Sequence, residues 1–313
     1  MAITVVALAG GVGGAKLAHG LAEILAPGSL TVIVNTGDDF RHLGLFISTD
    51  VDTVTYTLAG RAHPKHGWGR AGETWQALST LTELGGPDWF QLGDLDLGLH
   101  LYRTARMEAG ATLSDITTDI CTAWNIQTTI LPMTDSPVRT IVETPEGDLP
   151  FQKYFVAKRC EPTVKGFHFQ GIETAAPAPG VLKAIDAADL VVFCPSNPWV
   201  SIDPILAIGE VRSRVHRKPV VGVSPIIAGK TVKGPAARMY ADLGIQPSAL
   251  AVAAHYEDLL KGFVLDEEDA SLSREINQLG MQTFTTDTLM RTEKDRVRLA
   301  NEVMAFARAE VLE

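Results

Sequence analysis

The residues of this chain best suited to chemistry are one glycine run and three pairs of aspartates. The run is Gly10-Gly11-Val12-Gly13-Gly14-Ala15-Lys16, and the pairs are Asp38 with Asp39, Asp50 with Asp52, and Asp94 with Asp96. Aspartates offer hard oxygen ligands of the kind Mg2+ takes when it bridges diphosphate oxygens. Glycines between a strand and a helix let the backbone approach a ligand, and the free N–H groups of the helix start favour a phosphate or carboxylate. Each feature also has a plainer reading. Asp50 and Asp94 suit the capping of helices that follow them, and the glycines suit a tight, closely packed βα turn. The run is not the dinucleotide fingerprint, because Lys16 stands in place of a third glycine, and it is not a P-loop, because no Lys-Ser/Thr pair closes it. This disfavours an NAD-dependent oxidoreductase. Three acidic clusters together favour at least one metal or acid/base site.

His100 follows Asp96 by four residues, so the two share a helix face and suit a hydrogen-bonded pair. His42, His63 and His66 fall in loop-like sequence rich in Gly, Pro and Arg, suited to a segment covering a substrate or to a solvated loop. Pro195-Ser196-Asn197-Pro198 and Ser224-Pro225-Ile226-Ile227-Ala228-Gly229-Lys230 each end an expected strand. Both suit a hydrogen-bonding edge for a base, sugar or phosphate, and both also suit turns.

The elements that must position these groups read as α/β. Ile3–Ala9 and Leu30–Asn35 are short β-branched runs flanking a helical pattern over Ala15–Leu25, which makes a βαβ unit. Helices are expected over 72–84, 94–109 and 112–124, and a hairpin from Val138–Thr144 and Leu149–Val156. The βα rhythm returns with Leu190–Cys194, a helix near 203–216, Val220–Ser224 and a closing helix over 293–311. The expectation is a Rossmann-like, doubly wound, mainly parallel sheet in one domain over 1–313. Its core would run over about 1–60 and 181–313, with a mixed helical and hairpin segment inserted at about 61–180.

At 313 residues, 46% hydrophobic and 20% charged, the chain has the balance of a globular protein with a large core. A net charge of -10 without a basic block argues against a nucleic-acid partner. No apolar run reaches the roughly 20 residues of a membrane helix. Cys121, Cys160 and Cys194 form neither a metal spacing nor a disulfide framework, as in a reducing cytoplasm.

Taken in order, these segments resemble the 2-phospho-L-lactate transferase family of deazaflavin coenzyme F420 biosynthesis. The resemblance runs nearly end to end. It is carried by the glycine run, Asn35-Thr36-Gly37-Asp38-Asp39, Ile47-Ser48-Thr49-Asp50-Val51-Asp52-Thr53-Val54, Gly67-Trp68-Gly69, Glu73-Thr74-Trp75, Leu92-Gly93-Asp94-Leu95-Asp96-Leu97, Leu131-Pro132-Met133-Thr134-Asp135 and the two proline loops. It implies transfer of a phosphorylated three-carbon acid from a guanosine diphosphate-linked donor to the ribitol hydroxyl of the deazaflavin Fo, with release of GMP. It further implies Mg2+ held among Asp38, Asp39, Asp50 and Asp52, with Asp50 and Asp52 nearest the reacting hydroxyl. Substrate contacts would come from Gly10, Gly11, Gly13, Gly14, Lys16, Asn35, Asp94, Asp96, Ser196, Asn197, Ser224 and Pro225. A cytoplasmic homodimer matches the family. Leu95 departs from the family pattern, which has arginine there. A second expectation is a regulatory protein of a related branch that binds nucleotide sugars or dinucleotides.

Overall fold

A computed structural model describes residues 3–312. The first half of the chain runs β1 (Val5–Ala9), α1 (Gly11–Ile24), β2 (Leu30–Val34), β3 (Phe40–His42), β4 (Leu45–Ile47), α2 (Thr49–Leu58), α3 (Gln76–Glu83), α4 (Asp94–Glu108), α5 (Leu113–Ala123), β5 (Thr129–Pro132), β6 (Arg139–Glu143), β7 (Leu149–Pro150) and β8 (Gly166–Gln170). The second half runs α6 (Val181–Ala187), β9 (Leu190–Phe193), α7 (Asp203–Ala207), α8 (Val211–Val215), β10 (Val220–Val223), β11 (Ile226–Ile227), β12 (Lys230–Thr231), α9 (Ala236–Asp242), α10 (Ala249–His255), β13 (Gly262–Asp266), α11 (Ser273–Gln278), β14 (Gln282–Thr286) and α12 (Glu293–Glu310).

Seven strands form one parallel sheet in the order β14-β13-β10-β9-β1-β2-β5. The chain winds outward from β1 through β2 to β5, then returns to place β9 on the other side of β1. The winding therefore reverses between β1 and β9, and a doubly wound sheet opens its ligand crevice at the carboxyl ends of such a strand pair. β1 has no polar residue because both of its faces are covered. Val6 and Leu8 pack under α6, α7, α8 and α10, while Val5, Ala7 and Ala9 pack under α1 and α12.

Three differences from the sequence reading have physical causes. The stretch 61–180 contains β5, which pairs with β2 as the edge of the main sheet, besides the separate three-stranded sheet β7-β6-β8. The second arm of the expected hairpin stops at Pro150. A single π-type turn over Lys153–Ala157 follows, because Phe151 and Tyr154, three apart, both sink into a cluster with Val142, Val164, Val200 and Met239. The main partner of β6 is β8 instead. The helix expected near 203–216 is two short helices, broken where Gly209 takes φ +46.

Candidate active site

The crevice is built where the segments after β1 and β9 are stitched together. Ser196 Oγ donates to Gly10 O (2.9 Å) and accepts from Gly10 N–H (3.2 Å). This closeness explains three of the four glycines. A side-chain carbon on Gly13 would collide with the Pro195 carbonyl oxygen, one on Gly14 would lie 2.6 Å from Ser196 Oγ, and one on Gly10 would lie 2.6 Å from Ser201 Cβ. Gly11 differs. It has φ +61, and its N–H donates to Asp50 Oδ1 (2.8 Å), so the helix start meets a carboxylate of this chain. Lys16 turns away from the run and donates to Met290 O (2.6 Å).

The four aspartates expected to act together divide into two pairs. Asp50 accepts from Gly11 N–H at one oxygen and from Asn35 Nδ2 (2.9 Å) at the other. Asn35 is itself fixed, since its Nδ2 also donates to Val200 O (3.0 Å) and its Oδ1 accepts from Gly37 N–H (2.8 Å). Burial pushes the Asp50 carboxyl up to about 6, although these hydrogen bonds pull it down. Asp38 is raised well above the ordinary carboxyl range by burial first and then by the charges of Asp50 and Asp39. Its Oδ1 is buried without a hydrogen-bond partner.

The other two are engaged. Asp39 takes Ser48 Oγ at both oxygens (2.9 and 2.8 Å), and burial still raises its carboxyl. Asp52 forms a two-pronged pair with Arg103, through Nη1 to Oδ2 (3.1 Å) and Nη2 to Oδ1. Arg103 has no exposed surface. Its Nη1 also donates to Nδ1 of His100, whose pKa burial lowers to about 4, which keeps the ring neutral beside the guanidinium. His100 thus serves Arg103 and not Asp96 as its helix spacing suggested.

Among the described residues no three His, Cys, Asp or Glu side chains converge as a ready metal cage. Asp38 and Asp50 nevertheless fit Mg2+. That ion is commonly held by one or two carboxylates, with waters and substrate phosphates completing its shell, and two buried carboxylates, one of them with an unpartnered oxygen, suit it.

Asp94 and Asp96 also part company. Asp94 begins α4, yet its carboxylate caps α3, accepting from Gln76 N–H (3.2 Å), Ala77 N–H (3.1 Å) and the Thr74 hydroxyl. Glu73 returns the favour by accepting from the N–H groups of Leu95 (2.7 Å) and Asp96 (2.8 Å) at the start of α4. Asp96 accepts from Tyr56 OH (2.7 Å), and burial pushes its carboxyl up to about 6.

The proline loops are turns at their polar atoms. Asn197 Oδ1 accepts from Trp199 N–H (3.1 Å), and Ser224 Oγ both donates to Ile226 O (2.8 Å) and accepts from Ile226 N–H (3.1 Å). Pro225, half-buried, leads into the short pair β11 and β12. No spacing in the sequence assigns a role to Glu73, Ser48 or Tyr56, or pairs Arg103 with Asp52. One signal was available: the buried face of α4 carries Leu99, His100, Arg103 and Thr104, and a buried arginine requires a carboxylate opposite it.

The sequence of residues 5–304 matches the family model described as 2-phospho-L-lactate transferase CofD. A phosphoenolpyruvate transferase of Kitasatospora aureofaciens is 41% identical over 312 residues, covering 97% of each chain. A 2-phospho-L-lactate transferase of Methanopyrus kandleri is 41% identical over 311 residues, again covering 97% of each. A crystal structure of a Bacillus halodurans protein superposes with a TM-score of 0.65 at 16% identity, covering 97% of this chain and 100% of that one, and supports the fold alone. Since the match extends across the sheet and both acidic pairs, the chain belongs to the family described as 2-phospho-L-lactate transferase CofD and is a transferase.

Proposed function

We propose that this chain moves a phosphorylated three-carbon acid (2-phospho-L-lactate, phosphoenolpyruvate or 3-phosphoglycerate) from a guanosine diphosphate-linked donor to the terminal ribitol hydroxyl of Fo, releasing GMP, in coenzyme F420 biosynthesis. The observation that carries this reading is the buried Asp38–Asp50 pair at the point where the sheet's winding reverses, in a chain of this family.

Mg2+, held by Asp38 and Asp50, would neutralise charge on the diphosphate. The remaining work of the chain is positioning, which is most of what phosphoryl transfer asks of a protein. Gly11 and Asn35 hold the Asp50 carboxylate in one orientation. Asp52 and Arg103 lock α2 against α4 behind it. The ribitol oxygen attacks the acid-side phosphorus, its bond to phosphorus forms as the bond to the GMP oxygen breaks, and the hydroxyl proton passes to water.

One relative named for each acid is 41% identical to this chain, so overall similarity does not choose the acid, and a few pocket contacts would set it. The test offers all three GMP-linked acids in competition to the purified chain with Fo and Mg2+, read by mass spectrometry. One dominant phosphodiester product with matching GMP is expected. No GMP from any donor overturns the proposal, and tight nucleotide-sugar binding without Fo binding replaces it with the regulatory reading. The proposal takes the working form to be a cytoplasmic homodimer, and its size is read by sedimentation.

A further inference from the structure

We infer that the exposed face of Trp68 is a stacking platform for a planar, fused heteroaromatic ring of one substrate; the inference rests on the proposed function for what that ring is. Trp68 stands between Gly67 (φ +74) and Gly69 (φ +67), two left-handed positions that glycine adopts without strain. Behind it two more rings are piled. His66 stacks on Trp68 with centroids 5.2 Å apart and planes 19° apart, and His63 stacks on His66 at 4.3 Å and 12°. Among the described residues the indole stacks on no other ring, and it is 47% exposed.

The pile is braced. His63 N–H donates to Gly69 O (2.9 Å) and Gly67 N–H to His63 O (2.8 Å). Lys233, from the loop after β12, donates to the carbonyls of Lys65 (3.2 Å) and His66. The loop also has a defined place. A side-chain carbon on Gly67 would lie 2.6 Å from Val12 Cγ1 in the first turn of α1, and one on Gly69 would lie 3.8 Å from Asp96 Oδ2 in the first turn of α4. The loop therefore reaches from the start of α1, whose Gly11 holds Asp50, to the start of α4. A rigid aromatic face left open to water adds contact area to a bound ring at little entropic cost.

Two sources supply such a ring, the deazaflavin of the acceptor and the guanine of the donor, and separate titrations distinguish them. Fo alone and GMP alone are titrated calorimetrically into wild type, Trp68→Ala and Trp68→Phe. Trp68→Ala is expected to weaken one of the two by about tenfold or more and leave the other within about twofold, with Trp68→Phe recovering most of the loss. In turnover the KM for the same substrate rises while kcat holds. Unchanged affinity of Trp68→Ala for both ligands overturns the inference. Loss of both without rescue by Phe also overturns it, because that marks a collapsed loop. If wild type binds neither ligand, the proposed function falls and takes the inference with it. If wild type binds and turns over while Trp68→Ala matches it, only the stacking role falls.

Discussion

Asp50 and Asp52 sit two residues apart on one helix, 6% and 5% exposed, and meet opposite surroundings. Asp52 faces Arg103, so its charge is answered within the fold. Asp50 faces neutral donors and a second carboxylate, Asp38, so its charge is answered only by a proton or by a cation from outside. Isolated charges are costly to bury, so keeping these two carboxyls together favours a proton on one of them, or the cation that the proposed function assigns to them. The difference separates a carboxylate whose charge the fold pairs from one whose charge it leaves unpaired, and the proposed function gives the metal to the second.

Four experiments break or sharpen that contrast. The largest effect is expected from Asp50→Asn, which should lower transferase turnover about a thousandfold, the several kcal/mol that a metal-held diphosphate contributes, with little loss of stability; near-normal turnover would remove Asp50 from the site. Next, Arg103→Met should lower the unfolding free energy in urea by about 3–5 kcal/mol by stranding Asp52, and the double variant Asp52→Asn/Arg103→Met should recover part of it. If the single variant is as stable as wild type, the two carboxylates do not differ in kind.

The third concerns pH. Asp50 titrates near 6 in the fold against 3.8 ordinarily. Between those values the folded chain keeps a proton that the unfolded chain has lost, so stability falls as pH rises through that window, by about 2–3 kcal/mol from this group. Asp50→Asn should flatten the slope, and Mg2+ at pH 8 should raise the melting temperature of wild type more than that of the variant. A slope unchanged by the substitution would count against a strained acidic pair. The smallest effect is at Asp94. Asp94→Ala removes the cap of α3 and should lower the melting temperature slightly while turnover stays within about threefold; a large fall in turnover would return Asp94 to the substrate contacts.

Much of the fold was readable in the sequence because its signals are local. The β-branched runs of β1, β2, β9 and β10 and the helices Asp94–Glu108, Leu113–Ala123 and Glu293–Glu310 fall within about two residues of their expected bounds. The acidic clusters were visible too, but their division was not. It depends on Arg103 meeting Asp52 across 51 positions and on Ser48 turning toward Asp39, which no spacing encodes. The glycine run shows a related limit. Its composition suits ligand approach and close packing alike, and only the nearness of Pro195, Ser196 and Ser201 shows that packing by itself already requires glycine at positions 10, 13 and 14. In the stretch after Pro150, its place as the second arm of a hairpin suggested a strand, whereas burial of Phe151 and Tyr154 selected a turn of helix.

The stitch between Gly10 and Ser196 joins positions 186 residues apart in the chain. Parallel strands brought together over such a distance must close a very long loop before any contact rewards them, which makes this junction slow to form. Nascent chains shorter than about two hundred residues hold the glycine run and all six aspartates yet lack the partner that seats them. In refolding, competence to bind should consequently trail the appearance of helical signal, and its time course becomes a clock for the last joining of the two half-sheets.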